Sequence, residues 1–372
     1  MKKTSLIIIP IIAIIAMVGC EQFSTSYQRV DESEFRMLKY IWEPADAAPG
    51  DTITLTAVFA GKRVDLDSYL RWWISFNVIR DLLGSTTVVD SALLKAESRP
   101  VDFSPNTQAV EFKIPVPKDI VRNSASIPEM WIDALPASLR GALPPGIDTL
   151  TKTRMVDMIE TLAGNVNAIS SEETKALIPI LQYFTVPMRI SAKMHEQGRL
   201  PHTINSTQYI RYNNRFKAAG IPVNTAPKVD KVVVYKVKGS DVSGIDDKNG
   251  LALDSIFLDN SGTSVITVEK GYSYFLDAQS NNIDTTVTMD GKRIAEKHRI
   301  YRQFQLDAKE TAGVHHSKFM DINNLNGKIT FPANTKIKKF IFWLTVYDEV
   351  QNERLRPNGE TLVEVSGRLE YK

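Results

Sequence analysis

The sequence predicts a mainly β protein: two β-sandwich domains in tandem, the first with a helical insertion. Three observations carry that expectation. Apolar and polar residues alternate over short segments along most of the chain, as in Thr52–Phe59, and a period of two marks a strand packed on one face. The alternation lapses over residues 119–181, where apolar residues recur at helical spacing. A polar, proline-bearing break, Ile221–Pro227, then separates two stretches of β pattern. With 43% hydrophobic and 24% charged residues, 19 Gly and 18 Pro, the 372-residue chain has the composition of a folded protein, neither disordered nor collagen-like. Its length allows two domains.

Lys2 and Lys3 precede an apolar run, Leu6–Val18, of 13 residues. A membrane-spanning helix needs about 20. A basic start with a short apolar core has the pattern of a secretory signal peptide, here residues 1–19, which is set aside from the fold. Met17-Val18-Gly19-Cys20 resembles the lipobox of bacterial lipoproteins. The resemblance implies cleavage before Cys20, lipidation of Cys20 and anchoring to a membrane through it. It also implies residence in the cell envelope, at an outer-membrane, periplasmic or surface-facing position. Several acyl chains, at about 0.8 kcal/mol per buried methylene, make a stable anchor. Cys20 is the single cysteine, so no internal disulfide can form. The whole chain has 45 basic against 43 acidic side chains, and loss of Lys2 and Lys3 brings the balance to 43 against 43. A neutral mature chain lacks the basic footprint of a nucleic-acid binder.

Residues 20–36 read as the lipidated Cys and a polar tether, ahead of a first domain over 37–222. Pro49-Gly50-Asp51 is a turn signal, and the strand after it puts Ile53, Leu55, Ala57 and Phe59 on one face against Thr52, Thr54 and Thr56. Further strands are expected at Leu70–Val78 with Trp72 and Trp73, at Val110–Ile114, at Phe184–Ala192, and near Tyr209–Tyr212. Within the insertion, Ser126 and Glu129 fit a capping box. Met155, Ile159 and Leu162 have helical spacing, and Ser170–Glu173 starts a further helix. Without the insertion the first domain keeps roughly 120 residues, the size of one sandwich.

The second domain, 223–372, is expected to be all β. Its strands are Val232–Val237, Tyr272–Ala278, Ile300–Leu306, Lys328–Phe331 and an alternating close over Val363–Tyr371, with a hairpin turn at Asp290-Gly291. Phe340–Tyr347 is apolar on both faces and belongs in the middle of a sheet. Phe342-Trp343-Leu344-Thr345-Val346-Tyr347-Asp348, with the closing strand, resembles the end of a bacterial immunoglobulin-like or PKD-like module. Pro49-Gly50-Asp51-Thr52-Ile53-Thr54-Leu55 resembles the start of one. The resemblance implies two tandem immunoglobulin-like sandwiches outside the cytoplasm. It brings no catalytic residues with it.

Chemistry-bearing motifs are sparse. The five His include no HExxH arrangement, and the adjacent His315 and His316 read as a solvated loop pair. Asp246–Gly250 and Asp321–Gly327 are rich in oxygen ligands, yet each puts an Ile (Ile245, Ile322) where an EF-hand loop needs its first Asp, so both read as turns. No G-x-S-x-G elbow, P-loop or dinucleotide loop occurs. No catalytic, metal or cofactor residue is assigned, and no cofactor is expected. Aromatic residues remain. Trp72 and Trp73 take opposite faces of one strand, so one fills the core while the other is covered by the insertion or left exposed. Trp131 lies in the insertion, which reads either as a docking surface or as a mini-core of its own.

The expected role is non-catalytic: an envelope lipoprotein that binds or scaffolds a protein partner through its sandwiches, with Trp72, Trp73 and Trp131 as contact residues. One alternative is a carbohydrate-binding surface lipoprotein, which an exposed Trp72 or Trp73 favours. The other is an envelope enzyme with carboxylates converging in a cleft.

Overall fold

The computed structural model describes residues 29–45, 47–80, 86–88, 91–93, 99–124, 151–154, 156–157, 185–194, 202–211, 226, 228–229, 231–238, 252–257, 272–279, 285–287, 293–295, 297–306, 315–316, 327–330, 339–349 and 360–368. The chain is mostly β, and its sheets are built almost wholly of antiparallel pairs. The strands run β1 Arg29–Val30, β2 Phe35–Glu43, β3 Thr52–Gly61, β4 Leu70–Ser75, β5 Val78–Arg80, β6 Thr86–Val88 and β7 Ala92–Leu93. They continue as β8 Arg99–Val101, β9 Thr107–Pro115, β10 Thr185–Met194, β11 His202–Arg211, β12 Lys231–Lys238, β13 Ala252–Phe257 and β14 Tyr272–Gln279. The last are β15 Thr285–Val287, β16 Arg293–Ala295, β17 Lys297–Leu306, β18 His315–His316, β19 Gly327–Thr330, β20 Lys339–Glu349 and β21 Glu360–Arg368. Two short helices, α1 Leu66–Tyr69 and α2 Ile120–Asn123, join them.

Two four-stranded sheets, ordered β2-β3-β9-β8 and β11-β10-β4-β7, face each other over one core. Ile53, Leu55, Ala57 and Phe59 of β3 point into it, as their alternation predicts. They meet Leu70, Trp72 and Ile74 of β4, and Val186, Met188, Ile190 and Ala192 of β10. Side chains of both sheets interdigitate there, with Trp72 edge-on to Phe112 at 4.8 Å between ring centres.

The far side of the first sheet is not simply a solvated face. Along β3 the outward positions begin with exposed Thr52, pass half-buried Thr54 and Thr56, and end with Val58 and Ala60, both buried. That apolar end joins Leu38, Ile41 and Ala109 against Trp343 and Leu362 of a third sheet, ordered β1-β17-β20-β21. β20 is central in that sheet and buried from Phe342 to Val346, as its two apolar faces require. A fourth sheet, β13-β12-β14-β19-β18, runs beside β17 through β14 and β19.

Two parts of the chain differ from expectation. The stretch read as a tether contributes β1, which pairs in parallel with β17 at Arg29–Gln305 and Val30–Leu306, and Val30 is fully buried beside Trp343. β2, which sequence reading does not assign, is a long strand whose alternation is broken by a bulge between Met37 and Lys39. The extra residue puts Phe35, Met37, Tyr40 and Trp42 on the core side and leaves Leu38 and Ile41 for the third sheet. His315 and His316 form a two-residue strand paired with β19, where a loop was expected. Of the insertion, α2 and residues 151–154 and 156–157 are described. The capping box at Ser126, the later helices and the Asp290-Gly291 turn lie outside the described residues.

Candidate functional site

The tryptophan pair occupies β4, and strand geometry sends its rings to opposite sides. Trp72 is 8% exposed, packed edge-on to Tyr40, Phe59 and Phe112. It is a core residue. Trp73 is half-buried on the outer face of the β11-β10-β4-β7 sheet. There it lines a cleft of about 530 Å³ with Ser75, Arg189, Ser191, Lys193 and Thr203. Trp131 and Cys20 lie outside the described residues.

Strand register assembles this face. Inward Val186, Met188, Ile190 and Ala192 leave Arg189, Ser191 and Lys193 to point outward from β10. Ser191 is paired with Trp73 on one side and with Asn205 of β11 on the other. Its hydroxyl donates to Asn205 Oδ1 at 2.7 Å. One row along, Lys193 stands between Arg71 and Thr203; in the opposite direction, Arg189 stands between Ser75 and Thr207. Directly paired side chains have Cβ atoms about 5 Å apart and diagonal ones about 7–8 Å apart. Trp73 is therefore bracketed by cations, with the Ser191 hydroxyl and the Asn205 carboxamide in its own row on one side and Leu93 on the other.

The cleft floor is fixed. Ser75 is buried, and it closes β4 by donating its hydroxyl to the Asn77 carbonyl while accepting the Asn77 amide. β10 is held by pairing on both edges, with β11 along its whole length and with β4 from Arg189 to Met194. β11 is anchored to the first sheet, where Trp42 Nε1 donates to Ser206 Oγ at 3.2 Å and Gln208 Nε2 donates to the Ala45 carbonyl. The polar face thus sits on paired strands rather than on loops, which favours a preset arrangement of its groups.

Sequence reading singled out Trp73, left Arg189 and Ser191 as the polar positions of their strand, and assigned nothing to Lys193 or Thr203. A signal was present, since the outward positions of Phe184–Ala192 hold no acid. Only strand order, however, reveals that these groups converge on Trp73. Among the described residues that line the cleft there is no carboxylate, thiol or imidazole. Among the described residues, no group of three or more His, Cys, Asp or Glu could hold a metal ion, and no helix is long and apolar enough to cross a membrane.

No family model matches this chain, and no curated protein matches it. Among solved structures it is similar to the collagen adhesin (CNA) from S. aureus, over 92% of this chain and 96% of that one, at 7% identity and a TM-score of 0.12. A likeness at that level carries no argument about fold or activity.

Proposed function

We propose that this protein is a non-catalytic, membrane-anchored lipoprotein of the bacterial cell envelope that binds saccharide through the Trp73 face of an immunoglobulin-like sandwich. The sandwich is one of two in tandem, and Cys20 carries the anchor. One observation carries the reading: a half-buried tryptophan lines a cleft with the hydroxyls of Ser75, Ser191 and Thr203 and the cations Arg189 and Lys193 on paired strands, beside Ile74, Val88 and Ser91. An indole face presents a large apolar surface with a negative π-cloud, suited to stacking on a sugar ring, while Ser191, Thr203 and Asn205 offer hydrogen bonds to its hydroxyls.

A protein partner docking on a sandwich face, the role expected from sequence, has less support. Ile79, at 40%, is the exposed large apolar residue among those described, and one residue makes no apolar patch. Hydrolysis of a glycosidic bond would need a pair of convergent carboxylates, and the described residues lining the cleft supply none. The test is binding of the detergent-extracted full chain to immobilised glycans. The expected result is a signal that disappears on Trp73→Ala without a change in thermal unfolding. A glycan signal that survives Trp73→Ala, or no signal from any glycan, overturns the reading.

A further inference from the structure

We infer that the saccharide of the Trp73 cleft is recognised through two adjacent free ring hydroxyls, a vicinal diol, held by Ser191 and Asn205; this rests on the saccharide reading above and deepens it. One row of the sheet carries the recognition. Trp73, Ser191 and Asn205 are consecutive partners across β4, β10 and β11. Their side chains leave the same face, with Cβ atoms about 5 Å apart from one strand to the next. Asn205 is exposed, while Trp73 and Ser191 are half-buried. All three stand on paired strands, so register sets their order across the face.

The hydrogen bond inside the row fixes what each group offers. The Ser191 hydroxyl donates to Asn205 Oδ1 at 2.7 Å, so its proton is committed and Ser191 Oγ faces the cleft as an acceptor. Asn205 Nδ2, a donor of two protons, has no partner among the described residues. Outward from the indole, the row thus presents an apolar ring, an acceptor and a donor. A hydroxyl both donates and accepts. Of two adjacent hydroxyls on one pyranose, the first gives its proton to Ser191 Oγ and the second accepts from Asn205 Nδ2. Other groups match less. A carboxylate or phosphate oxygen brings no proton for Ser191, and an ammonium brings no lone pair for Asn205. A trans acetamido group points its N–H and C=O in opposite directions, so it serves one residue of the pair. In a sugar ring stacked on Trp73 the hydroxyls lie at the rim, and the rim on the β10 side meets Ser191 before Asn205.

The experiment compares immobilised neutral polymers of glucose, galactose and mannose, probed with the full chain in detergent. Polymers linked through the fourth or sixth ring carbon keep adjacent hydroxyls free on every inner unit. Polymers linked through the third carbon keep the same rings but no two adjacent free hydroxyls on an inner unit. The first kind is expected to bind at least about tenfold tighter, because a site built to hydrogen-bond a hydroxyl rejects a ligand that lacks it. Exhaustive O-methylation, which spares ring and linkage, should remove that binding. Asn205→Asp replaces the donor with an acceptor of the same shape, and Ser191→Ala removes the acceptor. Each should abolish the preference while leaving the third-carbon polymers unchanged, and Ser191→Thr, which keeps the hydroxyl, should preserve it. Thermal unfolding of each variant separates lost binding from lost folding.

Binding that is lost on Trp73→Ala but is equal across the linkages, or tighter for the third-carbon polymers, overturns this inference and leaves the saccharide reading standing. Absence of binding by every polymer overturns both. A preference for adjacent hydroxyls that survives both Ser191→Ala and Asn205→Asp overturns the inference as well, because other groups then hold the diol.

Discussion

Tyr40 is buried at 7% exposure, and its hydroxyl is without a hydrogen-bond partner among the described residues. Burial disfavours the phenolate and pushes its pKa above the ordinary 10.0. A raised folded-state value leaves stability whole below pH 10 and erodes it above, because only the unfolded chain then sheds the proton. The slope is about 1.4 kcal/mol per pH unit. Tyr40→Phe is therefore expected to be neutral or slightly stabilising at pH 8 and clearly stabilising at pH 11, measured by urea unfolding at both. The tryptophan pair divides in another way. Trp72→Ala empties a ring site in the core and should cost about 3–5 kcal/mol, whereas Trp73→Ala should leave urea midpoints nearly unmoved and abolish ligand binding. Gly61 has φ +85°, and a Cβ there would collide with the carbonyl oxygen of Glu34. Gly61→Ala should lower stability by more than about 1 kcal/mol, read as a fall in the midpoint of chemical unfolding.

At the scale of elements, the strands differ in how openly the sequence declares them, and the difference has a physical cause. β3 and β10 alternate cleanly because each buries one face along its length in the same core. β20 reads as central because neighbours cover it on both sides. β2 hides its nature: Phe35 and Met37 point inward at odd positions, then Tyr40 and Trp42 at even ones, since the bulge at Leu38 shifts the phase. β1 is two residues long, and its place depends on a partner almost 280 residues away in sequence, so no local pattern announces it. The cleft was half legible for the same reason. A tryptophan is visible in one strand, while the residues that convert it into a site belong to two others. A comparable long-range device joins β21 to the first sheet. Glu364 accepts from Ser104 Oγ at 2.6 Å, from Asn106 Nδ2 at 2.5 Å and its amide at 3.3 Å, and from Trp343 Nε1 at 3.1 Å. Glu364→Ala leaves these donors without their shared acceptor and should cost about 1–3 kcal/mol, with faster amide exchange in β21 than in β4.

Across the whole molecule, the first sheet is a middle layer, with a core on one side and the sheet of β20 against part of the other. Denaturation is accordingly expected to couple these three sheets more tightly than two domains on a string would be coupled. A single urea transition followed by tryptophan fluorescence should separate into two on Trp343→Ala, because Trp343 is the largest fully buried side chain in that contact. Cys20→Ala is expected to move the protein from the membrane to the soluble fraction, and sedimentation of lysed cells tests this. The pairing of β1 with β17 bears on how such an anchored molecule carries load. Only eight residues separate Cys20 from Arg29, so if Cys20 is lipidated as proposed, the slack between lipid and fold is at most about 30 Å. A pull on a ligand held at the Trp73 cleft would reach the membrane through β1. Parallel strands drawn along their length resist in shear, with their backbone bonds loaded together rather than one after another. Buried Val30 adds a plug beside Trp343 that must be dragged out before the chain can pay out. If Cys20 carries the proposed anchor, the two residues of β1 stand at the point where tension would enter the fold.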